Sequence, residues 1–84
     1  MMDKQVKVYA LSTCSHCKAA KRFLDEHSVP YDVTDIDLLD TLEKSKVIAD
    51  VKKLNPLLSF PTIIIRDRVI IGFRENELRE VLEQ

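Results

Sequence analysis

Cys14 and Cys17 are the only cysteines of this 84-residue chain, and they stand two residues apart in Thr13-Cys14-Ser15-His16-Cys17-Lys18. Two thiols at this spacing can clip a metal, form a permanent cross-link or exchange reversibly between dithiol and disulfide. A permanent cross-link across so short a gap restricts the unfolded chain little, because its stabilisation grows with the length of the closed loop. A closed zinc site needs two further ligands. His16 crowds the same turn, and His27 lies about ten residues farther along, roughly 15 Å down a helix at 1.5 Å per residue. No metal site closed within one chain is therefore expected. The alternative that stays open is a metal or iron–sulfur module in which Cys14 binds between two copies.

Exchange chemistry fits the spacing best. Cys14 falls where a strand-like run ends and a helix-like pattern begins. The first N–H groups of a helix have no internal partner, and the helix dipole is positive there. Both favour a thiolate, so Cys14 is expected to ionise below the ~8.5 of a free thiol. Cys17, one turn inward, can reach back to that sulfur and is expected to be shielded. Cys14 then attacks a disulfide, and Cys17 resolves the mixed disulfide. Ser15 and His16 tune the pair. A protonated or N–H-donating His16 would favour the thiolate, whereas an exposed His16 would have no role; both readings stand. A stabilised reduced state makes a stronger oxidant, so the expected potential lies above the roughly −270 mV of thioredoxin, toward about −200 mV. Lys18 and Lys21 read as the solvated face of the helix, with diffuse positive charge near Cys14 as the alternative.

The flanking pattern supplies the elements that must hold the thiols. Val6 to Leu11 is a β-rich run. Ala20, Phe23, Leu24 and His27 then recur at i, i+3, i+4 and i+7, one face of a helix that Val29-Pro30 closes. Tyr31 to Ile36 alternates like a half-buried strand. Asp40 followed by Glu43 resembles a capping box and opens a second helix reaching Leu54-Asn55, with Val47, Ile48, Val51 and Leu54 on its apolar face and Leu42 off it. Thr62 to Ile65 is a continuous apolar run, as in a strand covered on both sides. Arg66-Asp67-Arg68 turns the chain into Val69-Ile70-Ile71. Gly72, the sole glycine, falls where a last helix must begin, with Leu78, Val81 and Leu82 facing the core. The order β-α-β-α-β-β-α, with a parallel crossover followed by an antiparallel hairpin, predicts an α/β fold of thioredoxin-like type: a four-stranded mixed sheet with helices on both faces.

Composition narrows the function. Hydrophobic residues make up 45% of the chain, against disorder, and 13 basic residues against 14 acidic ones leave a charge of −1, against nucleic acid or an anionic membrane as partner. The length suits one domain over residues 1–84. No signal peptide or transmembrane run is evident, so a cytoplasmic, monomeric protein is expected.

Thr13-Cys14-Ser15-His16-Cys17-Lys18, then Phe60-Pro61-Thr62, then Gly72-Phe73-Arg74 before the last helix, resemble the glutaredoxins. They resemble most the glutaredoxin-like redoxins that supply electrons to ribonucleotide reductase (NrdH-type). The resemblance spans essentially the whole chain. It implies Cys14 as nucleophile, Cys17 as resolving thiol, no bound cofactor, and a cis Phe60-Pro61 bond facing the thiols. A cis-Pro there would present the backbone of Phe60 to an extended substrate as an added strand; the plain reading of Pro61 is a strand-start residue. Phe60, Pro61, Thr62, Gly72, Phe73 and Arg74 join Thr13, Ser15 and His16 as tuning or substrate-binding candidates. Gly72 also reads as a turn residue with positive φ, Phe73 as a core plug and Arg74 as a surface charge. Two features depart from glutathione-using glutaredoxins. Leu11 stands where they carry a lysine, and Gly72-Phe73-Arg74-Glu75-Asn76 stands where they carry Gly-Gly. Gly-Phe-Arg is the pattern of the ribonucleotide-reductase redoxins, typically reduced by thioredoxin reductase. The segment from Asp37 to Leu58 is longer than theirs, however, and Ser15-His16 is not their usual pair. The resemblance thus implies disulfide-bearing protein partners, ribonucleotide reductase among them, with electrons from a flavoprotein such as thioredoxin reductase or from glutathione. A redox-inactive interaction domain on the same fold is the remaining alternative.

Overall fold

The computed structural model describes residues 6–83. Its elements are β1 (Val6–Ala10), α1 (Ser15–Glu26), β2 (Asp32–Asp35), α2 (Thr41–Leu54), β3 (Thr62–Ile65), β4 (Arg68–Ile71) and α3 (Glu75–Leu82), with a 3-10 turn at Ile36–Leu38. The sheet order is β2-β1-β3-β4. β1 runs parallel to β2, with Ala10 opposite Asp35, and antiparallel to β3, which forms a hairpin with β4. The expected order of elements and the mixed sheet are both present.

Strand alternation sorts the residues onto two faces. Val6, Val8 and Ala10 of β1, Ile63 and Ile65 of β3 and Ile70 of β4 join Phe23 and Leu24 of α1 and Leu78, Val81 and Leu82 of α3 in one core cluster. Cys17 and Ala20 belong to that cluster, so the second of the two cysteines is a core residue. The opposite parity carries Tyr9, Thr62 and Ile64. Val51 is the only fully buried side chain of α2, so that helix is far less anchored than the other two.

Helix ends follow local chemistry. Asp40 caps α2, its Oδ1 accepting from the Glu43 N–H at 2.9 Å; the acidic substitute for Ser or Thr works because an N-cap needs only an acceptor. α1 ends earlier than Val29-Pro30 implies. The Val29 N–H reaches Leu24 C=O and the Ser28 N–H reaches Asp25 C=O, a Schellman closure with Ser28 at φ 55° where glycine is usual. The hairpin between β3 and β4 has two loop residues, and only the first, Arg66, has positive φ (58°), as in a II′ turn.

Four expectations need correction. The second strand spans only Asp32–Asp35 and lies at the sheet edge, so Val33 is 41% exposed, and Ile36 is buried from the 3-10 turn instead. Leu54 is 42% exposed, and the next residue, Asn55, takes the buried place. His27 is exposed, and its ring lies flat on Phe23 with centroids 4.1 Å apart. Lys21 does not belong to the solvated face; it is half-buried against Asp35.

Candidate active site

Cys14 is the N-cap of α1, with φ −83° and ψ 123°. Its Sγ accepts the Cys17 N–H at 3.3 Å, and its carbonyl accepts the Lys18 N–H at 3.0 Å. The sulfur thus occupies the place that a Ser or Asp oxygen normally fills at a helix start. Upstream, the Cys14 N–H donates to Leu11 C=O at 3.1 Å, closing the turn Leu11–Cys14 between β1 and α1.

This geometry makes the two thiols unequal. Burial opposes ionisation of Cys14, but it is outweighed by the hydrogen bonds from the Cys17 thiol and N–H, by the His16 N–H and by the charge of Lys21, so the Cys14 pKa is lowered. The Cys17 pKa is pushed up to about 12, first by burial and then by donation of its S–H to Cys14. The Cys17 N–H on Cys14 Sγ holds the two cysteines side by side at the helix mouth. Both cysteines are free thiols, Cys14 partly exposed and Cys17 buried. One sulfur, partly exposed, favours the thiolate; its neighbour, buried, favours the thiol.

The other wall of the site comes from the α2–β3 loop. The Phe60-Pro61 bond is cis, and Phe60 C=O lies 4.0 Å from Cys14 Sγ. The carbonyl of Pro61 accepts the Gly72 N–H at 2.7 Å. Gly72 has φ 85°, a region that glycine enters without the penalty a Cβ incurs. The loop is shaped from within by Asn55, which is fully buried. Its Nδ2 donates to Ser59 C=O (3.0 Å) and contacts Ser59 Oγ (3.2 Å) and Thr62 Oγ1 (3.1 Å), while its Oδ1 accepts the Leu57 N–H (3.2 Å). Thr62 Oγ1 donates to Ser59 C=O at 2.9 Å. No buried side-chain polar atom lacks a partner among the described residues, so the network is complete.

Two carboxylates brace the first wall. Asp37 accepts both the N–H (2.8 Å) and the hydroxyl of Ser12, two residues before Cys14. These bonds hold the Asp37 pKa below the usual carboxylate range. Asp35 Oδ1 meets Lys21 Nζ at 3.0 Å. Beside the site, a hollow of about 320 Å³ is lined by Leu11, Ile48, Leu58 and Phe60, with Asp37 and Lys44 as its charged members.

Among the residues singled out in the sequence, Cys14, Cys17, Phe60, Pro61 and Gly72 are linked by these contacts, and Thr62 joins them through Asn55. Thr13, Ser15 and His16 are exposed around the thiol; His16 contributes its N–H to Cys14, and no hydrogen bond among the described residues joins its ring to the sulfur. Phe73 packs edge-on against Phe23 with centroids 6.0 Å apart. Arg74 is exposed at the N-cap of α3, its Nε donating to Ile71 C=O at 3.2 Å. Sequence reasoning missed Asp35, Asp37 and Asn55. Asn55-Pro56 carried a turn signal; nothing in the sequence distinguishes Asp35 or Asp37 from the other carboxylates.

Comparison with known proteins agrees with this geometry. The family model described as Glutaredoxin matches residues 6–70. The glutaredoxin-like protein NrdH of Lactococcus lactis is 30% identical over 76 residues, covering 90% of this chain and 97% of that protein. Among solved structures, the methanoredoxin of Methanosarcina acetivorans superposes with a TM-score of 0.91 at 40% identity, covering 96% of this chain and 86% of that one. The glutaredoxin (grx-1) of Archaeoglobus fulgidus gives a TM-score of 0.90 at 34% identity, covering 96% and 88%.

Proposed function

The chain belongs to the glutaredoxin family, and from that premise we propose that it is a dithiol oxidoreductase that reduces protein disulfides or mixed disulfides through Cys14 and Cys17. The observation that carries this reading is the inequality of the two sulfurs, one at the helix mouth with its pKa lowered and one in the core with its pKa pushed up to about 12.

The Cys14 thiolate attacks one sulfur of a substrate disulfide. A Cys14–substrate bond forms, the substrate S–S bond breaks, and the departing thiolate takes a proton from solvent. Cys17 then loses its proton and attacks Cys14 Sγ. The Cys14–Cys17 disulfide forms and the second substrate thiol leaves, so two electrons have passed to the substrate. Burial of Cys17 delays its ionisation until Cys14 is engaged, which removes the neighbouring negative charge. Phe60 C=O beside Cys14 offers an acceptor to an extended substrate.

The electrons return from an external reductant. A flavoprotein of the thioredoxin reductase kind is the favoured donor over glutathione, because Leu11 and the half-buried Phe73 replace features suited to the tripeptide. Ribonucleotide reductase is a candidate target, by analogy with the relative named NrdH. The proposed setting is the cytoplasm, and among the described residues no helix is long and apolar enough to cross a membrane. Incubation with a disulfide substrate tests the assignment. Cys17→Ser is expected to accumulate a mixed disulfide and Cys14→Ser none; equal trapping by both variants overturns the roles. A coupled NADPH assay, run once with thioredoxin reductase and once with glutathione and its reductase, is expected to run faster with the first.

A further inference from the structure

Lys21 follows Cys17 by four residues on α1, so the two side chains share a face of the helix. Its ammonium does not extend into water. Nζ lies 3.0 Å from Asp35 Oδ1, and both side chains are only 22% exposed. Asp35 closes β2 opposite Ala10, the last residue of β1, at the end of the sheet from which Leu11–Cys14 departs toward the helix mouth. A cation and an anion are therefore fixed together, partly shielded from solvent, with the cation on the helix face that carries Cys17.

A lone lysine at this position would present a full positive charge to the sulfurs. Asp35 against it places an opposed charge 3.0 Å from that ammonium. We propose that the Lys21–Asp35 pair sets the thiolate population of Cys14, with Lys21 as the stabilising charge and Asp35 as its attenuator. Both are positioning residues, and the inference rests on the reading of Cys14 as the nucleophile. The other charged or titratable groups around the site are His16 and Lys18, exposed on α1, Asp37 from the 3-10 turn, tied to Ser12, and Lys44 of α2, whose charge acts on Asp37. None of these is fixed to Lys21 by an ion pair. The charge of Lys21 acts on both Cys14 and Cys17 in the direction that favours ionisation.

A mere brace between α1 and β2 would predict something different. Breaking the bridge from either end would then have the same effect, and breaking it from both ends would add nothing new. The electrostatic account predicts opposite signs. In the full chain, the rate of Cys14 alkylation by iodoacetamide is followed against pH. Lys21→Gln leaves the carboxylate unopposed and raises the midpoint; Asp35→Asn leaves the ammonium unopposed and lowers it. Each shift is expected to be about half a pH unit, or roughly threefold in rate at a fixed pH below the midpoint, as befits one charge acting through partly solvated protein. The double variant returns toward the wild-type midpoint, Lys21→Arg retains it, and high salt shrinks both single shifts. Shifts of the same sign in the two single variants, or no shift in either, overturn the proposal. Failure of the dithiol reading shows separately, as absence of disulfide reduction by the unaltered chain.

Discussion

Two loops meet at the Cys14 sulfur, and they are built on opposite principles. The β1–α1 loop is held by backbone N–H groups and charges: the Cys17 N–H on the sulfur, Asp37 on Ser12, Lys21 with Asp35. The α2–β3 loop is held by neutral side-chain hydrogen bonds centred on the buried Asn55. The first sets how reactive the sulfur is. The second sets where the Phe60 carbonyl stands beside it. Reactivity and position are thus controlled from different walls, so mutations on each wall are expected to give separable effects.

The largest separable effect comes from the second wall. Asn55→Ala empties a fully buried position, leaves the Leu57 N–H without its side-chain partner, and leaves Ser59 C=O and Thr62 Oγ1 with each other alone. It is expected to cost about 2–3 kcal/mol of unfolding free energy, read by urea denaturation of the reduced protein. The Cys14 alkylation midpoint should stay within about 0.3 pH units of wild type, since no charge changes near the sulfur. A shift of a full unit would break the division between the two walls.

A smaller effect comes from Asp37 on the first wall. Its folded pKa is depressed, so the stability it contributes is present above the unfolded value of about 3.9 and is lost as pH falls through the folded value. Asp37→Asn should remove that portion of the acid dependence, as measured by denaturant midpoints across the acid range, and slightly destabilise the protein at neutral pH. An unchanged acid limb in the variant would mean that Ser12 does not hold the carboxylate.

The walls also differ in how far the sequence revealed them. The helix mouth at Cys14 was legible because strand, thiol and helix are contiguous, and an N-cap is a local arrangement. The helix pattern Ala20, Phe23, Leu24 and the hairpin around Arg66-Asp67 were legible for the same reason. Asn55 was not, because its partners lie across a loop whose path only the folded chain defines; periodicity placed Leu54 in the core, and the hydrogen-bond network put its polar neighbour there. Asp35 and Asp37 looked like ordinary surface charges because their partners, Lys21 and Ser12, lie 14 and 25 residues away. The edge position of β2 likewise depends on strand order, which alternation cannot report.

The inequality of the two sulfurs underlies every step proposed for Cys14 and Cys17. Thiolate absorbance of the fully reduced chain, titrated from acid to alkaline pH, measures it directly. The structure predicts one thiol ionising below the ordinary cysteine value, assigned to Cys14 by its loss in Cys14→Ser, and a second that stays protonated until pH approaches about 12. Two thiols ionising together near ~8.5 would contradict it.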